Sequence, residues 1–206
     1  CPRNSTDTDV LCMPINQPHK AYQTWIAENE PDERELHRQR QKATAFPFRP
    51  LISIIMPVYN TPTQFLDAAI QSVVEQTYDR WQLCAADGNS NRLETRELLT
   101  KWAEKDKRIN ITFLDRNLGI SGNSNEALGK ATGDFIALLD HDDLLAPFAL
   151  FEVAKLLNSD RQTDFIYSDR DMVFEDGITR FSPLFKPAWS PDTLLSANYL
   201  THLSII

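Results

Sequence analysis

The chain lacks the cysteine pattern of a disulfide-stapled secreted domain. Cys1, Cys12 and Cys84 form no CxxC pair and are odd in number, which fits a reduced, cytosolic protein. A Cys1–Cys12 bridge is open on sequence grounds but has little to recommend it. No lysine or arginine cluster is present, the net charge is −8 and the pI is near 5.0. Phosphate-backbone binding needs several cationic contacts, so a nucleic-acid partner is excluded as an expectation. Signal-peptide features and apolar runs of membrane-spanning length are also missing. No GxGxxG follows the first apolar strand, which disfavours a Rossmann dinucleotide site, and no GxxxxGK[ST] occurs, which excludes a P-loop.

What the chain does have is an ordinary globular balance, 42% hydrophobic and 24% charged over 206 residues. That is enough for one large α/β domain with a short extra segment. Residues 1–20 show no period and read as a linker or loose arm. A helix is expected from Ala21 to about Ala43, anchored by Tyr22, Trp25, Ile26 and Leu36, with its charges on a solvated face. Phe46-Pro-Phe-Arg-Pro50 cannot continue it, so the boundary is set there: an N-terminal helical arm over 1–49 and a domain over 50–206. The chain does not begin with Met, and Tyr199–Ile206 stops within an expected strand, so it reads as a piece of something longer.

From Leu51 onward, apolar strands alternate with helices. Strands are expected at Leu51–Met56, Trp81–Ala86, Ile109–Leu114, Phe135–Leu139 and Phe165–Tyr167. Helices are expected at Thr63–Gln76, Leu93–Lys105, Ser121–Ala131 and Pro147–Asn158. Strands apolar on both faces, separated by helices, indicate βαβ units and a parallel sheet covered on both sides. After Asp169 the pattern changes to a hairpin turning at Glu175-Asp176-Gly177, then a helix starting at Ser190-Pro191-Asp192.

In such a sheet, ligands sit beyond the carboxyl ends of the strands. Those ends read Pro57-Val58-Tyr59-Asn60, Asp87-Gly88-Asn89-Ser90-Asn91, Asp115-Arg116-Asn117-Leu118-Gly119, Asp140-His141-Asp142-Asp143 and Ser168-Asp169-Arg170-Asp171. Singly, each is an ordinary turn or cap. Asp142 or Asp143 alone would cap a helix beginning near Pro147. Three carboxylates at the end of one apolar strand exceed what capping requires. A divalent cation offsets their mutual repulsion and keeps positions open for phosphates. Tyr59 stacking a base, Asp87 accepting from a ring N–H and the Asp140–Asp143 cluster holding a metal at a diphosphate would together make a nucleotide site. Tyr59 taken alone is equally an ordinary rim aromatic.

The set Ile52-Ser-Ile-Ile-Met-Pro-Val-Tyr-Asn60, Gln76-Thr-Tyr78, Ala86-Asp-Gly-Asn-Ser90, Asn117-Leu-Gly119, Gly133-Asp-Phe135 and Asp140-His-Asp-Asp143 resembles family 2 glycosyltransferases of the GT-A fold. Phe185-Lys-Pro-Ala-Trp-Ser-Pro-Asp192 resembles the bacterial branch that builds surface polysaccharides such as O-antigen. The resemblance implies a Rossmann-like, mostly parallel sheet flanked by helices. It implies inverting transfer of a sugar from a nucleotide-diphospho-sugar to a glycan or lipid-linked acceptor, with Mn²⁺ or Mg²⁺ as cofactor. It also implies a cytoplasmic protein associated peripherally with the inner membrane face. Carried over, Pro57, Val58, Tyr59, Asn60, Asp87, Asn117 and Asp140 would bind the nucleotide. Asp142, with Asp140, would ligate the metal, and Asp143 would cap a helix or support its neighbours.

Ala86 departs from the paired acids common in the second motif. Arg170 stands where the family often has Glu, and either neutralises its neighbours or reaches a phosphate. The catalytic base, a carboxylate in the resembling family, is expected beyond Ile206. Asp169 and Asp171 read as donor-sugar contacts and His202 as a packing residue. Two other classes stay open: a non-catalytic sugar-nucleotide-binding or scaffold module, and a nucleotidyltransferase, which lacks its usual glycine-rich basic loop here.

Overall fold

A proline and a capping aspartate decide where the first helices stop. The computed structural model describes residues 20–206. In it, the single helix expected from Ala21 to Ala43 is two, α1 (Lys20–Asn29) and α2 (Glu33–Thr44). Pro31 cannot donate a helical hydrogen bond, and Asp32 caps α2 by accepting from the Glu35 N–H at 2.8 Å. The loose arm expected over the first residues and the Cys1–Cys12 pairing fall outside the described residues.

The described chain divides into two compact units, residues 20–30 with 169–190 and residues 31–168 with 191–206. The division falls between Glu30 and Pro31, so α2 goes with the larger unit. There the chain runs through β1 (Ile52–Val58), α3 (Thr63–Val74), β2 (Trp81–Asp87), α4 (Leu93–Lys105), β3 (Ile109–Phe113), α5 (Gly119–Leu128), β4 (Phe135–Leu138), α6 (Ala149–Ser159) and β5 (Ile166–Tyr167). The smaller unit contributes β6 (Arg170–Val173) and β7 (Arg180–Leu184). The chain then returns to the larger unit for α7 (Pro191–Ser196), which starts at the expected proline, and β8 (Ser204–Ile205).

Six strands form the sheet of the larger unit in the order β3-β2-β1-β4-β8-β5. β1 and β2 are buried along their whole length and pair in parallel from Ile52↔Trp81 to Val58↔Asp87. Their two-sided apolar character reflects cover on both faces. Ile52, Ile54, Met56 and Val58 point into the main core beneath α3, α4 and α6. Ile55, Cys84 and Ala86 point to the other face, against Ala127 of α5. The α3 residues Leu66, Ala69, Ile70 and Val73 recur at helical spacing and are all fully buried.

The mostly parallel sheet matches expectation, with one addition. β8 inserts antiparallel between β4 and β5, pairing Ala137↔Ile205 and Leu138↔Ser204. A strand is expected within Tyr199–Ile206, but nothing in the sequence indicates that it runs antiparallel between two strands of the sheet.

In the smaller unit, β6 and β7 form the expected hairpin, turning where Asp176 accepts from the Ile178 and Thr179 N–H groups and Gly177 takes φ +70°. Arg180 joins Asp171 and Glu30, and the Tyr22 hydroxyl donates to Asp171 at 2.6 Å. Burial and the Asp171 carboxylate push the Tyr22 phenol up, and its two acidic partners push Arg180 up despite burial.

Candidate functional site

Strand order places the opening. From β1 the chain winds outward through β2 to β3, then crosses back to β4 on the other side of β1. The reversal lies between β1 and β4, and a crevice forms outside the carboxyl ends of strands at such a switch point. The segment Tyr59-Asn60 ends one of these strands, and Asp140-His141-Asp142-Asp143 ends the other.

The β1 end is tightly held. Pro57 and Val58 are buried, so what they present is main chain. The Val58 carbonyl accepts from the Gly88 N–H at 2.8 Å, and the Pro57 carbonyl faces His141 Nδ1 at 3.0 Å. A carbonyl only accepts, so this His141 nitrogen carries the proton. Through that contact the acidic loop is pinned to the end of β1. Tyr59 is 40% exposed, open enough for its ring to stack on a planar ligand. Asn60 adopts φ +52°, its N–H donates to Ser90 Oγ, and its side-chain oxygen accepts from the Asn91 N–H, both at 2.8 Å. Asn89 also has positive φ, +59°. Asparagine is one of the few residues that tolerates this backbone, and such strain collects at binding loops.

Asp87, at the end of β2, is wholly buried. Three donors reach its carboxylate: the Ser90 N–H, the Ser90 hydroxyl and Arg96 Nη1 at 3.2 Å. The Ser90 N–H is shared between both oxygens, so each oxygen receives two contacts.

Asn117 is committed to its own loop. Its Oδ1 accepts from the Gly119 N–H at 2.9 Å and from Asn123 Nδ2 at 3.0 Å, while Asn123 accepts from the Leu118 N–H. This lock closes over Gly88, where an added Cβ would lie 2.4 Å from Asn123 Nδ2 and 2.9 Å from Asn117 Oδ1. Gly88 is therefore required by close approach. Asn123 had no signal in the sequence beyond its place in a helix of small residues.

At the end of β4 the structure corrects two expectations. Asp143 does not cap the next helix: α6 begins at Ala149, and its preceding residue, Phe148, makes no side-chain cap. His202 is not a packing residue. Its side chain is 44% exposed, with Nδ1 at 3.0 Å from Asp143 Oδ2 and 3.8 Å from Asp140 Oδ2. The cause is β8. Continuing the antiparallel Leu138↔Ser204 register by two residues sets Asp140 opposite His202. Asp140, Asp143 and His202 each offer a ligand atom, and these atoms lie within 4.8 Å of one another. Asp142, the metal ligand expected from the sequence, is exposed and outside this trio. Two half-exposed carboxylates and one imidazole suit a divalent cation that accepts oxygen and nitrogen and keeps open positions.

In the smaller unit, Asp171 is engaged by Tyr22 and Arg180, and Asp169 accepts from the Lys186 N–H at 2.7 Å. Arg170 lies exposed in β6, paired with Leu184.

The sequence profile of glycosyl transferase family 2 matches residues 53–197, spanning every strand end just described. The chain belongs to that family. An uncharacterized protein of Sinorhizobium fredii, y4gI, is 42% identical over 156 residues, covering 76% of this chain and 17% of its own length. The O-antigen biosynthesis protein RfbC of Myxococcus xanthus is 31% identical over 185 residues, covering 90% of this chain and 14% of its own. The chain thus spans less than a fifth of either relative. Among solved structures, the mannosyltransferase PcManGT of Pyrobaculum calidifontis, in complex with GDP-Man and Mn²⁺, superposes with a TM-score of 0.50 at 21% identity. It covers 71% of this chain and 45% of its own, and it shows the shared GT-A fold. This family 2 glycosyltransferase is α/β, as its strand–helix alternation indicated. None of its described helices is long and apolar enough to cross a membrane.

Proposed function

We propose that this part of the glycosyltransferase is its donor half, holding a nucleotide-diphospho-sugar for inverting transfer to a glycan or lipid-linked acceptor in surface-polysaccharide synthesis. The observation that carries the reading is one of placement. An exposed ring (Tyr59), a buried carboxylate (Asp87) and an Asp-Asp-His trio stand at the ends of β1, β2 and β4, around the switch point. Tyr59 would stack on the base, Asp87 would accept from its ring N–H, and Asn60 with the main chain of Pro57 and Val58 would shape the pocket floor. Asn117 would support the rim through its loop. Asp140, Asp143 and His202 would hold Mn²⁺ or Mg²⁺. Such an ion, when bound, neutralises charge on a leaving diphosphate. His141 would keep the acidic loop in register with β1 through the Pro57 carbonyl. RfbC's assignment to O-antigen biosynthesis supports the polysaccharide setting, and action at the cytoplasmic face of a membrane is part of the same proposal.

Calorimetry with UDP, GDP and dTDP, each with and without Mn²⁺, tests this. Binding of at least one nucleoside diphosphate that strengthens with Mn²⁺ is the expected result. No binding of any of the three in the presence of metal overturns it.

A further inference from the structure

Asp87 does not hold itself in place. Its side chain is fully buried, and a buried carboxylate needs a partner charge and filled hydrogen-bond positions. Ser90, three residues on, supplies local donors. The charge comes from Arg96, one turn into α4, whose Nη1 lies 3.2 Å from Asp87 Oδ2 and 3.4 Å from Asn89 Oδ1. The same guanidinium sits over the ring of Phe113, 4.7 Å from its centroid, at the last residue of β3. One side chain therefore ties the end of β2 to α4 and to the end of the neighbouring edge strand.

The geometry points to Arg96 as a positioning residue for the nucleobase. We infer that it sets the orientation of the Asp87 carboxylate, and so which edge of it a base would meet, without touching the nucleotide itself. The inference rests on the proposed reading of Asp87 as the base contact. Its physical content is orientation. A guanidinium is planar, and a ring beneath it removes rotation about its long axis, so its N–H bond direction is fixed. Lysine would preserve the charge at this place but present no plane to Phe113. Ser90 holds one oxygen through its hydroxyl to Oδ1 and shares its N–H between both, so Arg96 supplies the side-chain donor that fixes Oδ2. Nothing in the sequence motifs singled out Arg96. It stands among charged residues on an amphipathic helix, where arginine ordinarily means a solvated face.

The test is a double-mutant cycle read by calorimetry with UDP and GDP at saturating Mn²⁺, on wild type, Arg96→Gln, Asp87→Asn and the double variant, with thermal midpoints recorded for each. Arg96→Gln should weaken nucleotide binding roughly tenfold, within the range seen for directly coupled neighbours. In the Asp87→Asn background the same substitution should change affinity less than about twofold, because the group it orients is gone. Arg96→Lys should restore the thermal midpoint but only part of the affinity. Should Arg96→Gln fail to fold, Phe113→Leu, which keeps the ion pair and removes the stacking surface, should weaken UDP binding severalfold. Equal losses from Arg96→Gln in both backgrounds, or full affinity in both Arg96→Lys and Phe113→Leu, overturn the inference while leaving the donor-site reading standing. Absence of nucleotide binding in wild type overturns that reading first, and this inference with it.

Discussion

Asp143→Asn and Asp142→Asn should separate sharply in the presence of Mn²⁺. In the metal-free protein, Asp140 and Asp143 bring carboxylate oxygens within 4.8 Å of each other and of His202. Two like charges at that distance repel by about 1 kcal/mol in water and about 3 kcal/mol at a surface-like dielectric of ~20. Removing the Asp143 charge relieves that repulsion. It also loses the 3.0 Å contact to His202, worth about 0–1 kcal/mol between groups this exposed. Without metal, Asp143→Asn should therefore leave the thermal midpoint unchanged or slightly raised. With Mn²⁺ at about a hundred times its Kd, wild type gains about 2.7 kcal/mol, roughly 5–11 °C for a chain of this size. Asp143→Asn should lose most of that gain. Asp142→Asn, altering a side chain outside the trio, should keep it. The assay is thermal unfolding of the three proteins with Mn²⁺ and with a chelator. If Asp142→Asn abolishes the metal-dependent shift while Asp143→Asn retains it, the assignment from the structure is wrong and the one from the sequence motif is right.

Gly88→Ala should destabilise by about 2–4 kcal/mol in urea unfolding, since its methyl would displace the buried, twice-bonded Asn123 side chain. Tyr78 is fully buried, donates to the Pro50 carbonyl at 2.7 Å, and has its phenol pushed up to about 12 by burial. The fold favours the neutral phenol, so Tyr78's contribution is complete below pH about 10, where the unfolded phenol titrates, and is lost as pH rises through about 12. Alkaline unfolding should accordingly be shallower for Tyr78→Phe across that window, by about 2 kcal/mol in all. Burial also pushes the Cys84 thiol up, so a thiol reagent should leave Cys84 unmodified in the native protein and label it once denaturant unfolds the chain.

Much of the frame was legible because local chemistry and tertiary context agree. Ile52–Val58 and Trp81–Asp87 are apolar on both faces, and both became central strands. Asp176-Gly177 made the hairpin turn, and Pro191 began a helix. The first helix was misread because its hydrophobic spacing runs on through Pro31, while the break depends on what that proline and Asp32 do to the main chain. Asp87 was legible as a rim carboxylate, but not the three donors that hold it.

By itself, then, the sequence determined the strand–helix alternation, the direction of the sheet and the polar strand ends, because these follow from periodicity and residue chemistry over a few neighbours. Tertiary structure decided which of those polar residues meet. His202 lies more than fifty residues beyond the acidic loop, and only the antiparallel insertion of β8 beside β4 sets it against Asp140 and Asp143. Arg96 meets the Phe113 ring as well as Asp87 because β3, carrying Phe113, packs beside β2. Register between strands is a long-range property, and one residue of slip between β4 and β8 would turn His202 away from Asp140.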